Sequence, residues 1–146
     1  KLAKRHGCRH PVLYKKENLA KAVQRITKGK GVPVVYDSVG ASTFEQSIDC
    51  LAPRGMFVSF GNASGPVPPF NPGMLAQKGS LYFTRPTLVT YIASREDLEK
   101  SARALFSAVK KGVKVRIDQT FKLKDAAKAH RALEGRKTTG STILIP

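Results

Sequence analysis

Two apolar runs constrain this chain more than any other feature, because each ends in the same way. Gly31-Val32-Pro33-Val34-Val35-Tyr36 turns polar at Asp37-Ser38 and stops at Val39-Gly40, while Met56-Phe57-Val58-Ser59-Phe60 stops at Gly61-Asn62. Short runs of this kind suit strands buried in a parallel sheet. Between them Ser42-Thr43-Phe44-Glu45 has the Ser-x-x-Glu form of a capping box, opening a helix that buries Phe44, Ile48 and Leu51 before Pro53-Arg54-Gly55 stops it. Strand, helix, strand in that order predicts a parallel α/β sheet with right-handed crossovers. Ligands of open parallel sheets sit outside the carboxyl ends of the strands, so the two glycine-bearing turns are the first candidates for a site.

The rest of the chain continues the alternation. Residues 1 to 7 read as the end of a helix closed by Gly7, and His10-Pro11-Val12-Leu13-Tyr14 as a short strand. From Asn18 the apolar residues Leu19, Ala22, Val23 and Ile26 share one helix face. The stretch from Asn62 to Gly73 holds four prolines and predicts an irregular loop, broken by a helical turn near Met74-Leu75-Ala76. Ser80 to Thr84 reads as a strand, closed by Arg85-Pro86. Ser94 caps a long helix with Leu98, Ala102, Leu105, Phe106 and Val109 on one face and Lys110-Lys111 in its last turn. A partial strand over 113–121, a helix over 124–133 and a strand over 141–145 complete the pattern.

Composition limits what such a chain can do. With 146 residues and 41% hydrophobic content it can fill one core of ordinary size, and no stretch approaches the ~20 apolar residues of a membrane span. The start, Lys1-Leu2-Ala3-Lys4-Arg5-His6, lacks an initiator Met and an apolar leader, so it reads as an internal position and the chain as a fragment. Cys8 and Cys50 are the only cysteines, and neither has a partner at zinc-site spacing; His6 and His10 beside Cys8 are an accident of a basic turn. A reducing, cytoplasmic setting is expected.

The net charge of +16 lies at the ends: residues 1 to 30 carry ten Lys or Arg against one acid, residues 31 to 94 three against three, and residues 95 to 146 thirteen against six. A field of this size attracts phosphates, nucleic acid or acidic partners, although most of these charges interleave with helical apolar positions as a solvated face would. A nucleic-acid-binding module is therefore an alternative reading, and a dimerisation domain using the strand at 80–84 as an edge is another.

At the strand ends Asp37 either faces a ligand or binds nearby backbone amides. Arg136 lies in the polar loop Gly135-Arg136-Lys137-Thr138-Thr139-Gly140, where a guanidinium can reach a phosphate or remain a solvated charge. Arg85 can face a pyrophosphate, a substrate or an ion-pair partner. His6, His10 and His130 have no carboxylate or serine at relay spacing, and His130 shares a helix face with Ala126 and Leu133, which suggests packing. The chain contains no G-x-G-x-x-G and no Walker lysine loop. No catalytic residue and no metal ligand is expected.

Several pieces in order carry a resemblance. Val34-Val35-Tyr36-Asp37-Ser38-Val39-Gly40, Ser47 to Leu51, Val58-Ser59-Phe60-Gly61-Asn62-Ala63-Ser64-Gly65, Gln77 to Leu81, Thr84-Arg85-Pro86, Leu123 to His130 and Gly140 to Pro146 are together similar to the zinc-independent NADPH:quinone oxidoreductases of the medium-chain dehydrogenase/reductase superfamily. The resemblance implies a C-terminal piece of a longer enzyme: a partial Rossmann-type parallel sheet over 1–112, and a strand-helix-strand segment over 113–146 that returns to a catalytic domain outside this chain. It implies NADPH as cofactor and a quinone as substrate, with hydride passing from one to the other while the protein orients both. A homodimer through the edge strand near 80–84 is expected as well, because an edge strand can pair with its copy from another chain. By position, Tyr14 and Arg136 correspond to residues at the adenosine 2′-phosphate, and Ser38, Val39 and Gly40 to the turn beside adenosine and ribose. Phe60, Gly61 and Asn62 correspond to the turn beside the nicotinamide.

Overall fold

A computed structural model describes all 146 residues, which form two compact units, Lys1–Thr90 and Tyr91–Pro146. The first contains α1 (Leu2–Arg5), α2 (Leu19–Ile26), β1 (Val32–Asp37), α3 (Phe44–Ile48), β2 (Leu51–Ser59), α4 (Gly73–Gln77) and β3 (Tyr82–Thr84), with α5 (Leu88–Tyr91) at its end. The second contains α6 (Arg95–Lys110), β4 (Ile117–Lys122), a 3-10 turn (Leu123–Asp125), α7 (Ala126–Glu134) and β5 (Ser141–Ile145).

In the first unit the sheet order is β1-β2-β3 and both pairings are parallel, as the strand-helix-strand pattern predicts. Asp37 stands opposite Ser59, and Val58 opposite Thr84, so the three strands end nearly level and their carboxyl ends form one edge. Alternate residues Val35, Phe57 and Phe83 face α3 and the proline-rich loop, where Phe44, Ile48, Leu51, Phe57 and Leu81 form the buried core with Phe70, Met74 and Leu75 against it. Four rings meet there: Phe57 stacks on Phe83 at 5.3 Å and 6°, Phe44 meets Phe57 edge-on at 5.5 Å, and Phe70 packs on both Phe44 and Phe83 at 5.2 Å. Burial of each such side chain contributes roughly 1.5–3 kcal/mol, which makes this cluster the main support of the strand-end edge. The other face of the sheet, with Val34, Tyr36, Met56 and Tyr82, is exposed.

Several boundaries differ from the sequence reading. The segment His10 to Tyr14 forms no strand, since no neighbouring strand offers its backbone a ladder and Pro11 has no amide to donate. The strand expected at 56–60 begins at Leu51 and takes Pro53-Arg54-Gly55 inside it: the pairing slips between Val32 and Val34, Arg54 adopts φ +62°, and its amide donates to the Gly79 carbonyl at 2.7 Å. These residues make an irregularity in the ladder rather than a stop. The strand at 80–84 is shortened to β3, and it lies at one edge of the sheet.

In the second unit β4 and β5 pair in parallel with Phe121 opposite Leu144, and α7 connects them with Ala129 buried. Ser94 caps α6 by accepting the Asp97 amide at 3.0 Å, as its position predicts. The apolar spacing of α6 is right, yet no residue of that helix is buried, because no other element packs closely along it. His130 is exposed rather than packed, since the turn of α7 that meets the strands is centred on Ala129.

Candidate functional site

The turn after β1 is folded around Asp37. One carboxylate oxygen accepts the amides of Val39 at 2.7 Å and Gly40 at 3.0 Å, and the other accepts the Thr43 hydroxyl at 2.7 Å. Burial pushes this carboxyl pKa up, but hydrogen bonds from the Gly40 amide, the Thr43 and Ser47 hydroxyls and the Val39 amide outweigh it and hold the group below its usual value. Of the two roles open to Asp37, the structure shows the backbone one. Thr43, not Ser42, immediately precedes α3, and with its hydroxyl on Asp37 it makes no side-chain cap. The capping box is therefore not formed.

The turns after β1 and β2 are stitched to each other. The Phe60 amide donates to the Asp37 carbonyl at 2.9 Å, Ala63 to Ser38 at 3.2 Å, Ser64 to Val39 at 2.7 Å, and Ala41 to the Gly65 carbonyl at 3.0 Å. The Ser64 hydroxyl donates to the Val39 carbonyl at 2.7 Å and accepts the Ser42 amide at 3.0 Å. Close approach explains both glycines. A Cβ on Gly61 would lie 2.5 Å from the Ser38 carbonyl oxygen, and one on Gly40, whose φ is +87°, would lie 2.2 Å from that of Gly65. Ser64 and Thr43 complete this arrangement, and the sequence signals it only through the small-residue composition of the Asn62-Ala63-Ser64-Gly65 turn.

Six of the expected residues, Ser38, Val39, Gly40, Phe60, Gly61 and Asn62, are thus brought together on one edge. Ser38 and Asn62 are exposed there, Val39 is half-buried, and Phe60 shows 51% of its surface. Beside them a cleft of about 330 Å³ opens between the ends of β2 and β3, lined among others by Ser59, Asn62, Pro66, Phe70, Phe83 and Arg85. Arg85 is exposed and donates from Nη1 to the Pro86 carbonyl at 2.9 Å. Phe70, Phe83 and Ser59 joined the site only through the fold, since their residue types alone read as core or loop. Tyr14 lies in the turn before α2, 41% exposed, and no hydrogen bond joins it to the strand-end turns. In the second unit Arg136 is exposed in the turn after α7, with φ +55° and no acidic partner.

The groups on this edge suit a polyanionic dinucleotide. The one acid of the turns, Asp37, is enclosed by their own donors, so the surface left outside consists of a hydroxyl, an amide, an aromatic ring and a guanidinium. No three His, Cys, Asp or Glu side chains come together to hold a metal ion.

A parallel sheet with glycine-bearing carboxyl-end turns bordering a cleft defines a Rossmann-type ligand-binding domain. The sequence profile of the family described as zinc-binding dehydrogenase matches residues 6–144, and the chain belongs to that family. It is 52% identical to a quinone oxidoreductase of Pseudomonas aeruginosa over 100% of its own length and 45% of that protein's. It is 44% identical to a 2-haloacrylate reductase of a Burkholderia species, over 99% of this chain and 44% of that protein. The crystal structure of Escherichia coli quinone oxidoreductase complexed with NADPH superposes with a TM-score of 0.86 at 52% identity, covering 92% of this chain and 42% of that one. The chain thus spans less than half the length of the proteins it matches.

Proposed function

We propose that this chain is the C-terminal, cofactor-holding part of a longer NADPH-dependent reductase of quinones. The observation that carries the reading is the stitched pair of turns, which presents polar and aromatic groups at the strand ends while keeping Asp37 turned inward. It is supported by relatives named as quinone oxidoreductases and by the NADPH complex of the E. coli protein. The name of the Burkholderia relative, 2-haloacrylate reductase, supports electron-poor conjugated compounds as further acceptors in this reading.

In this reading Ser38, Val39 and Gly40 border the adenosine and ribose, Phe60, Gly61 and Asn62 the nicotinamide half, and Tyr14 and Arg136 the 2′-phosphate. Arg85 stands near the pyrophosphate or the acceptor. Bound NADPH supplies a hydride from C4 of its nicotinamide; the residues of this chain orient the cofactor and exclude water, and none is required as a nucleophile or zinc ligand. Residues 1–112 form the partial cofactor-binding domain, and 113–146, which also carry Arg136, return to the catalytic domain. The edge position of β3 and its exposed Tyr82 support a homodimer formed across that strand. The two free thiols fit a reducing cytoplasm.

The test is nicotinamide absorbance with NADPH and 1,4-benzoquinone. Turnover by the full-length enzyme is expected. None is expected from the 146-residue chain alone, which contains no glycine-rich pyrophosphate turn. Ordinary enzymatic turnover by the short chain, or none by the long one, refutes the reading. Light scattering decides the dimer.

A further inference from the structure

In the second unit the loop that carries Arg136 is fixed at both ends. At its start the Arg136 amide donates to the Leu133 carbonyl and the Lys137 amide to the Ala132 carbonyl, both at 3.0 Å, so the chain leaves α7 by a set path with Arg136 in the left-handed region. At its far end the Thr139 hydroxyl donates to Asp118 Oδ2 at 2.9 Å, and the Ser141 amide to the Arg116 carbonyl at 2.7 Å. Asp118 belongs to β4, 21 residues before Thr139, so this bond ties the loop to a strand. Gly140 permits the close approach: its φ is +62°, and a Cβ on it would lie 2.8 Å from Asp118 Oδ2 and 3.0 Å from the Arg116 carbonyl oxygen.

The charge of Asp118 is already taken up. Nη2 of Arg116 donates to both of its oxygens, at 3.0 and 2.9 Å, while neither cation of the loop, Arg136 or Lys137, has an acidic partner. A carboxylate with its charge open beside this loop would compete with a phosphate for the arginine and repel the phosphate as well. One that is matched by a guanidinium can hold the Thr139 hydroxyl by a charge-assisted bond and leave Arg136 free. Loop geometry matters here because an anion-binding side chain displaced by about 1 Å loses much of its effect.

We propose that Asp118 is a positioning residue for cofactor choice: paired with Arg116, it holds Thr139 and thereby the loop that presents the Arg136 guanidinium to the 2′-phosphate of NADPH. The proposal rests on the reading of Arg136 as a phosphate ligand. Titration of nicotinamide fluorescence in the full-length enzyme gives dissociation constants for NADPH and NADH, and their ratio is a readout that a merely structural role would not move. Thr139→Val, which removes the hydroxyl and leaves the Arg116–Asp118 pair in place, is expected to weaken NADPH binding about three- to tenfold and NADH binding hardly at all. Asp118→Ala removes the acceptor of the same bond and is expected to act in the same direction; either variant decides if circular dichroism shows that the other does not fold. Thr139→Ser keeps the hydroxyl and is expected to retain the wild-type ratio. Thr142→Val, which removes a hydroxyl bond to Gln119 Oε1 at 3.1 Å between the same two strands, is expected to change neither constant. In an Arg136→Ala background Thr139→Val is expected to add nothing, because residues acting through one another are not additive. Equal weakening of both cofactors in Thr139→Val, the same shift in Thr142→Val, or a full further loss in the Arg136→Ala background overturns the proposal. A selective loss in Arg136→Ala without one in Thr139→Val overturns it alone; no selective loss in Arg136→Ala overturns the phosphate reading and this proposal with it.

Discussion

Gly61 stands so close to Ser38 that a Cβ added to it would lie 2.5 Å from the Ser38 carbonyl oxygen and 2.9 Å from the Ser38 Cα. Both are backbone atoms, held by the hydrogen bonds that run from the second turn back to Asp37, Ser38 and Val39. No rotamer change can relieve such a contact. Gly61→Ala is expected to cost about 1–3 kcal/mol of stability by overpacking and to weaken NADPH binding in the full-length enzyme by moving the two turns apart. Urea unfolding and a cofactor titration check the two effects; a variant with wild-type stability would show that the turns are not pressed together.

Asp37 gives a prediction with a definite sign. Its carboxyl titrates below the usual value in the folded state, so its contribution is present above the unfolded value, near pH ~4, and is lost as pH falls through the lower folded value. Asp37→Asn keeps an acceptor for the Val39 and Gly40 amides but loses the charge that strengthens all these bonds. It is expected to cost about 1–3 kcal/mol at pH 7, and the gap between wild type and variant is expected to narrow toward pH 3. A gap equally wide at both pH values would show that the charge contributes nothing.

These two residues also mark how far the sequence could be read. The periods and punctuation of the apolar runs point to the parallel order of β1 and β2, the helix face from Asn18, the Ser94 cap and the helical turn near Met74, because these are local properties of a few neighbouring residues. The segment at His10 to Tyr14 forms no strand, and the apolar stripe of α6, correctly spaced, is left unburied, because both outcomes depend on a nonlocal partner: a strand needs a ladder, and an apolar stripe needs a surface against it. Thr43 shows the same limit at the site. Its neighbourhood carries the letters of a capping box, but the buried carboxylate of Asp37, six positions back, takes its hydroxyl first. That competition is invisible until the turn is folded. The cleft with Phe83 and Arg85 was legible only in part, since it depends on the register that sets Val58 beside Thr84.

The two cysteines should differ sharply in reactivity. Cys8 is exposed, whereas Cys50 is buried and donates to the Gln46 carbonyl at 3.1 Å. Burial first, and the Asp49 charge second, pushes its thiol up to about 11. Because only the thiolate attacks, iodoacetamide at pH 8 is expected to label Cys8 at least about a hundredfold faster than Cys50 in the native protein and both alike in urea. Peptide mapping by mass spectrometry reads each site. Comparable native rates would mean that the helix over Cys50 opens readily.

Arg136 combines a proposed role with a backbone cost, which lets stability and cofactor choice be separated. It holds φ +55° in the turn after α7, while the glycine before it, Gly135, has φ −72° and leaves the left-handed position to the arginine. That conformation costs a side-chain-bearing residue roughly 1–2 kcal/mol, and a glycine little. If the guanidinium serves the 2′-phosphate, Arg136→Ala in the full-length enzyme is expected to raise the Michaelis constant for NADPH by about ten- to a hundredfold and to leave that for NADH nearly unchanged. Arg136→Gly is expected to lose the same preference while unfolding at higher temperature than Arg136→Ala, by about 1 kcal/mol, since it removes the strain that alanine keeps. Equal changes for both cofactors would remove Arg136 from the phosphate site, and equal stability of the two variants would show that the turn relaxes once the arginine is gone.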